Sequence, residues 1–281
     1  EIQAVVFDCD GVLVDIGSSW QQIHDYFGTN NLENLERFLR KEITDDEFMA
    51  MDIKMWLDIQ ENIHMDEIMR CFSGVKLMIG ARDVVEELKK RGIYVAIVSS
   101  GVARFIGSIA HMLNVDDWAA NDFSWDEKGF LAGPKPSMVD SHDKGIMVKK
   151  LSEINNFNPE KVWSVGDSST DLSMQIPGSN FIGFNPARQR ASDAFKKAKV
   201  PIVLERDLRR IWPIIFNEEF SLNSPSSIFL FMRFSNSLWV VTPRFFKNFL
   251  KLISESVISD MSFLSLIILS SNFLINLNES G

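Results

Sequence analysis

The sequence predicts an α/β fold: a parallel sheet covered by helices on both faces, with one all-helical segment inserted early in the chain. Three observations carry that expectation. Short apolar runs, Ala4-Val5-Val6-Phe7, Tyr94-Val95-Ala96-Ile97-Val98 and Val162-Trp163-Ser164-Val165, recur with polar residues directly behind each of them. Such runs suit strands buried on both faces, and the amphipathic stretches between them supply the crossovers that a parallel sheet requires. Between the first two runs, residues 18–73 keep helical periodicity and offer no convincing alternating strand.

Taken in order, the first strand runs out into Asp8-Cys9-Asp10-Gly11-Val12. Alternation turns Asp8 and Asp10 to one side and Cys9 to the other, as a small core residue. Carboxylates that close repel, so either one keeps its proton or a cation lies between them. Oxygen donors without a nearby histidine favour a hard octahedral ion, with Mg2+ the first choice. The plain alternative is turn chemistry, because Asp-Gly is common in turns. In the helical segment, Ser18 or Ser19 suits a helix start and Thr44-Asp45-Asp46-Glu47 spells a capping box. Trp20, Phe27, Phe48, Met51 and Trp56 read first as core, with a substrate-facing role as the alternative.

An amphipathic helix over 83–91 leads to the second strand, which runs into Ser99-Ser100-Gly101. A hydroxyl and free backbone N–H groups at a helix start would seat an anion. Short strands around 119–123 and 129–132 suggest a hairpin. Lys144-Gly145 then opens a helix with Ile146, Val148, Leu151 and Ile154 on one face. A cation is disfavoured at that end of a helix, so Lys144 either meets an anion elsewhere or points into water. The run at 162–165 leads into Gly166-Asp167-Ser168-Ser169-Thr170-Asp171, whose carboxylates either hold a metal or cap the next element. Further strands at 181–184 and 201–204 flank a helix over 188–199.

Asp-x-Asp, then Ser, then Lys, then Gly-Asp-x-x-x-Asp, each behind an apolar strand, resembles the four-motif signature of the haloacid dehalogenase superfamily. Residues 2–215 are most similar to its phosphoserine phosphatase-like branch, which carries a small helical cap between the first and second motifs. The resemblance implies a Rossmann-like parallel core formed by residues 1–15 and 75–217, with residues 16–74 as the cap. It also implies a Mg2+-dependent phosphatase acting on a phosphomonoester of a small metabolite through an aspartyl-phosphate. Asp8 would be the nucleophile and Asp10 the general acid and base. Ser99, with Ser100 and Gly101, would bind the phosphoryl group, and Lys144 would neutralise its charge. Asp167 would hold the metal with Asp8 and the Asp10 carbonyl, while Asp171 would bind a metal-bound water or hold Lys144.

Departures from the branch bear on the substrate. Where its phosphoserine-specific members carry an acidic cap residue, this chain reads Ile16-Gly17-Ser18-Ser19-Trp20. Asp52 falls near the position of their carboxylate-gripping arginine, where it would repel a carboxylate, with Lys54 close enough to serve instead. Thr170 replaces an asparagine of the fourth motif. A phosphotransferase of the same fold is the alternative, and a non-catalytic, membrane-associated binding protein is a more distant one.

The composition fits a cytoplasmic enzyme. A net charge of −9 over 281 residues argues against nucleic acid as a partner. Cys9 and Cys71 are the only cysteines, too few to suggest a disulfide framework. His24, His64, His111 and His142 lack ligand spacing and read as surface or cap residues. Residues 218–281 change character to a hydrophobic, Ser- and Asn-rich tail. The uncharged stretch 261–278 is a weak candidate for a membrane span, broken by Ser and Asn. The tail is read first as non-native sequence appended to a finished core, ahead of an anchor or an extra packing segment. The absence of an initial methionine suggests that a few native residues precede Glu1.

Overall fold

The computed structural model describes residues 1–186 and 188–221 in full, together with the backbone of 230–234 and 237–241. The chain divides into two contact units, Glu1–Phe220 and Ser221–Gly281. In the first, β1 (Ala4–Phe7) is followed by four helices, α1 (Ser19–Phe27), α2 (Leu32–Leu39), α3 (Asp45–Ile59) and α4 (Met65–Arg70). Next come α5 (Ala81–Lys90), β2 (Tyr94–Val102), α6 (Ala103–Leu113), β3 (Asp117–Asn121), β4 (Phe123–Trp125) and β5 (Leu131–Pro134). The rest comprises α7 (Gly145–Ile154), β6 (Val162–Gly166), β7 (Asn180–Phe184), α8 (Gln189–Ala198), β8 (Ile202–Val203) and α9 (Trp212–Phe216).

Six parallel strands form the main sheet in the order β3-β2-β1-β6-β7-β8. The chain winds outward from β1 in one direction and from β6 in the other, so the strand order reverses between them. A reversal of that kind opens a crevice at the carboxyl ends of the strands. Phe7 pairs with Ile97 on one side and Val165 on the other. The segments just past those three residues therefore lie side by side at one end of the sheet.

Alternation along β1 builds two cores. Val5 and Phe7 join the cluster containing α5, α6 and α9, while Ala4 and Val6 join the cluster containing α7 and α8. Each fully buried Phe or Val stabilises the fold by about 1.5–3 kcal/mol. That accounts for the unbroken apolar run in β1, since a polar residue on either face would be stranded in a core.

Local signals explain the element boundaries. Ser18 caps α1 by accepting from the Gln21 N–H, and Thr44 and Glu47 close a full capping box on α3. The short hairpin pairs β4 with β5, whereas β3, grouped with that hairpin in the sequence reading, joins the main sheet instead. β2 also outlasts Val98. Val98 pairs with Ala119 and Val102 with Asn121, so four residues of β2 advance against two of β3 and Ser99–Gly101 bulge out of the ladder. Those three residues therefore precede the helix and do not begin it: α6 starts at Ala103.

The first unit extends past residue 217. Phe220 packs edge-on against Trp212 at 5.0 Å, and Glu218 pairs with Arg91 at 2.6 Å. In the second unit, β9 (Leu230–Phe234) and β10 (Ser237–Val241) pair antiparallel. The remainder of that unit, including the stretch 261–278, lies outside the described residues. Among the described residues, no helix is long and apolar enough to cross a membrane.

Candidate active site

Asp8 sits one residue past the end of β1 and is buried, with its N–H held by the Val165 carbonyl of β6. Lys144, immediately before α7, is buried as well. Its Nζ lies 3.1 Å from Asp8 Oδ1 and donates to Asp171 Oδ1 at 2.7 Å. The anion that a lysine at a helix start needs is thus supplied by neighbouring segments. Ser173 fixes the backbone there, its Oγ accepting from the Lys144 N–H at 3.0 Å.

Asp171 belongs to a short 3-10 helix, Ser169–Met174, in which it forms a capping box with Ser168. Its Oδ2 accepts from the N–H groups of Asp167 and Ser168 and from the Ser168 hydroxyl. Since Oδ1 is bound to Lys144, both oxygens are committed, and Asp171 is suited to orienting its neighbours. Asp8, Asp167 and Asp171 offer carboxylate oxygens within 4.8 Å of one another. Gly11 allows this approach: its φ of +76° disfavours a side chain, and a Cβ there would lie 2.4 Å from Asp167 Oδ2.

Asp10 is buried close by. Its Oδ2 accepts from the Ser19 N–H at 2.6 Å, at the first turn of α1, while Oδ1 is buried without a hydrogen-bond partner. Ser99 is buried in the bulge, and its Oγ accepts from the Gly101 N–H at 3.1 Å, leaving the hydroxyl proton free to donate. Ser100 is half-buried, and its carbonyl accepts from Trp20 Nε1 at 3.0 Å. A Cβ on Gly101 would meet Ser19 Oγ at 2.6 Å and Asp10 Oδ2 at 3.1 Å, which puts this part of the bulge beside Asp10.

Burial dominates the electrostatics. Desolvation raises Asp8 to about 7 against the pull of Lys144, with Asp171 and Asp10 pushing it further up. Asp10 is raised by burial, which the Ser19 hydrogen bonds partly offset. Asp167 is raised well above the ordinary carboxylate range by burial and then by the charges of Asp171 and Asp8. Lys144 stays protonated, because Asp171 and Asp8 together outweigh its desolvation. A cluster of partly protonated acids around one lysine is short of positive charge, and its exclusively oxygen donors fit a hard divalent cation. Asp8 and Asp167 are the side chains free to hold one.

Asp52 is not among these groups. It is fully buried between α1, α2 and α3, where Asn31 Nδ2 donates to both its oxygens at 3.1 Å. His24 Nε2 lies 3.2 Å from Asp52 Oδ1. Trp56 Nε1 donates to His24 Nδ1, which makes that nitrogen the acceptor and leaves the ring proton on Nε2, close to Asp52 but without a hydrogen-bond partner. His24, grouped in the sequence reading with surface or cap residues, is in fact completely buried. Asp52 is therefore a buried brace among helices, and the sequence-based expectation that it would repel a substrate carboxylate is withdrawn. The sequence reading also missed Ser19 and Ser173, whose partners lie too far along the chain for any local pattern to reveal.

Comparison with known proteins sets these observations in a family. A model of haloacid dehalogenase-like hydrolases matches residues 2–175. A phosphoserine phosphatase from Archaeoglobus fulgidus is 28% identical over 187 residues, covering 66% of this chain and 53% of the relative, so the chain spans about half of that protein's length. One from Methanocaldococcus jannaschii is 23% identical over 209 residues, 74% of this chain and 94% of the relative. A solved structure described as a phospho-aspartyl intermediate analogue of phosphoserine phosphatase shares the fold, with a TM-score of 0.61 at 24% identity over 76% of this chain and 99% of its own. With the family model spanning more than half of its length, the chain belongs to the haloacid dehalogenase-like hydrolases.

Proposed function

We propose that this chain is a Mg2+-dependent phosphatase that hydrolyses a phosphomonoester of a small metabolite through an aspartyl-phosphate on Asp8. The observation that carries the reading is the pairing of Asp8, held by Lys144 beside Asp167, with Asp10, whose buried Oδ1 has no partner. Residues 1–15 and 75–217 would form the catalytic core and residues 16–74 a helical cap. The two cysteines, free and buried, are in keeping with a cytoplasmic setting.

In this reading an Asp8 oxygen attacks phosphorus and the bond to the leaving oxygen breaks. Asp10, whose hold on its proton is strengthened by burial, gives that oxygen its proton. Asp10 then takes a proton from water, which attacks phosphorus, releases inorganic phosphate and restores the Asp8 carboxylate. Lys144 neutralises charge on the phosphoryl oxygens, and the Ser99 hydroxyl donates to one of them. Asp171 keeps Lys144 in place. The donor set supports Asp8 and Asp167 as the residues that hold Mg2+, which when bound would favour ionised Asp8 and offset charge on the phosphoryl group.

A panel of phosphorylated small molecules, assayed with Mg2+ and with excess chelator, tests the proposal. Phosphate release that requires the metal is expected for at least one phosphomonoester. No release from any of them, or release indifferent to chelator, would contradict it. Adding a competing alcohol and looking for its phosphate ester separates hydrolysis from transfer.

A further inference from the structure

Ser19 and Trp20, adjacent residues in the first turn of α1, make three hydrogen bonds to segments distant in sequence. The Ser19 N–H donates to Asp10 Oδ2 at 2.6 Å, Ser19 Oγ accepts from the Val102 N–H at 3.1 Å, and Trp20 Nε1 donates to the Ser100 carbonyl at 3.0 Å. Two consecutive peptide groups of the bulge are thereby fixed. The peptide between Ser100 and Gly101 is held at its carbonyl by Trp20 and at its N–H by Ser99 Oγ. The next peptide is held at the Val102 N–H by Ser19. A bulge has surrendered its ladder bonds, so such outside partners determine where its hydroxyl and N–H groups point.

Trp20 is itself held. It stacks on Trp56 at 5.9 Å and meets Phe123 edge-on at 5.3 Å. Trp56 is tied through His24 to the buried Asp52, four residues before it on α3. The indole is thus backed by a rigid aromatic and polar stack, and replacing it with a smaller ring would leave the stack largely in place while removing the N–H.

We propose that Ser19 and Trp20 are positioning residues, through which the inserted helical segment sets the geometry of the Ser99–Gly101 bulge against Asp10. The inference rests on the phosphatase reading for its consequence in turnover, though the hydrogen bonds stand without it. Bonds that fix a phosphoryl-binding segment act on the transition state more than on ground-state binding, so their loss falls on kcat.

Trp20→Phe keeps the stack and deletes the donor, and Ser19→Ala deletes the acceptor for Val102 together with the hydroxyl's bond to Asp10. With p-nitrophenyl phosphate as probe, each variant is expected to lose about three- to tenfold in kcat, the worth of one net hydrogen bond, with KM within about twofold of wild type. Amide hydrogen exchange should quicken at Gly101 and Val102 and stay unchanged across α3, and Ser19→Thr, which retains the hydroxyl, should restore both readouts. Wild-type kcat in both variants, a fall in kcat without faster exchange at 101–102, or faster exchange spread over α1 and α3 would each overturn the proposal. If the wild-type protein hydrolyses no phosphomonoester, the phosphatase reading fails, while the exchange measurement still decides whether the two residues fix the bulge.

Discussion

Asp8→Asn is expected to abolish turnover and, in metal-free protein, to make the fold more stable. Burial displaces Asp8 from an ordinary value of 3.8 to about 7, the pull of Lys144 included. At about 1.4 kcal/mol per tenfold change in proton affinity, this corresponds to about 4 kcal/mol held against the ionised form. The folded chain keeps the Asp8 proton over a range in which the unfolded chain has lost it. The contribution of Asp8 to stability therefore falls as pH rises from about 4 to about 7 and is level above that. Asparagine carries no charge, so the variant should match wild type near pH 4 and exceed it by about 4 kcal/mol at pH 8, or about 10 °C in melting midpoint for a core of this size. Thermal denaturation of both proteins in chelator at pH 4, 6 and 8 reads this directly. A difference that stays constant with pH, or a variant less stable at pH 8, would refute the argument from burial; measurable turnover by the variant would refute the assignment of the nucleophile.

Three other substitutions probe separate parts of the site. Lys144→Met leaves Asp8 and Asp171 Oδ1 without their cation, and should cost about 3–5 kcal/mol in denaturant unfolding with turnover down by at least about a thousandfold. A variant that keeps wild-type stability would show that the buried pair carries no such weight. Gly11→Ala puts a methyl group into Asp167 in a backbone conformation hostile to side chains, so the Mg2+ concentration for half-maximal activity should rise at least about tenfold; an unchanged metal requirement would count against Asp167 as a ligand. Asp52→Ala strands His24 and Asn31 and should destabilise the fold by about 2–4 kcal/mol in urea titration, while KM stays within about twofold. A large selective rise in KM would return Asp52 to the substrate's vicinity.

The parallel core was legible in the sequence because strands buried on both faces read as near-continuous apolar runs, as in Ala4–Phe7. The capping box at Thr44 was legible for a similar reason, since its partners are three residues apart. The course of β2 past Val98 was not, because a bulge is defined by register against a neighbouring strand. Nor was the role of His24: whether a lone histidine faces water or a buried carboxylate depends on how three helices pack. Asp171 shows both sides of this limit. Its bond to Ser168 is local and readable, whereas its bond to Lys144 spans 27 positions, so no local pattern shows it and only the family resemblance pointed to it.

The central claim is that Asp8 carries the phosphoryl group during turnover. Rapid acid quenching during hydrolysis of a good phosphomonoester substrate, followed by borohydride reduction and peptide mass spectrometry, tests it at the residue concerned. The account predicts reduction of residue 8 to homoserine in wild type and no such product in Asp8→Asn. Capture of the phosphoryl group at another residue, or steady turnover with residue 8 never modified under conditions that trap a control acyl-phosphate, would contradict it.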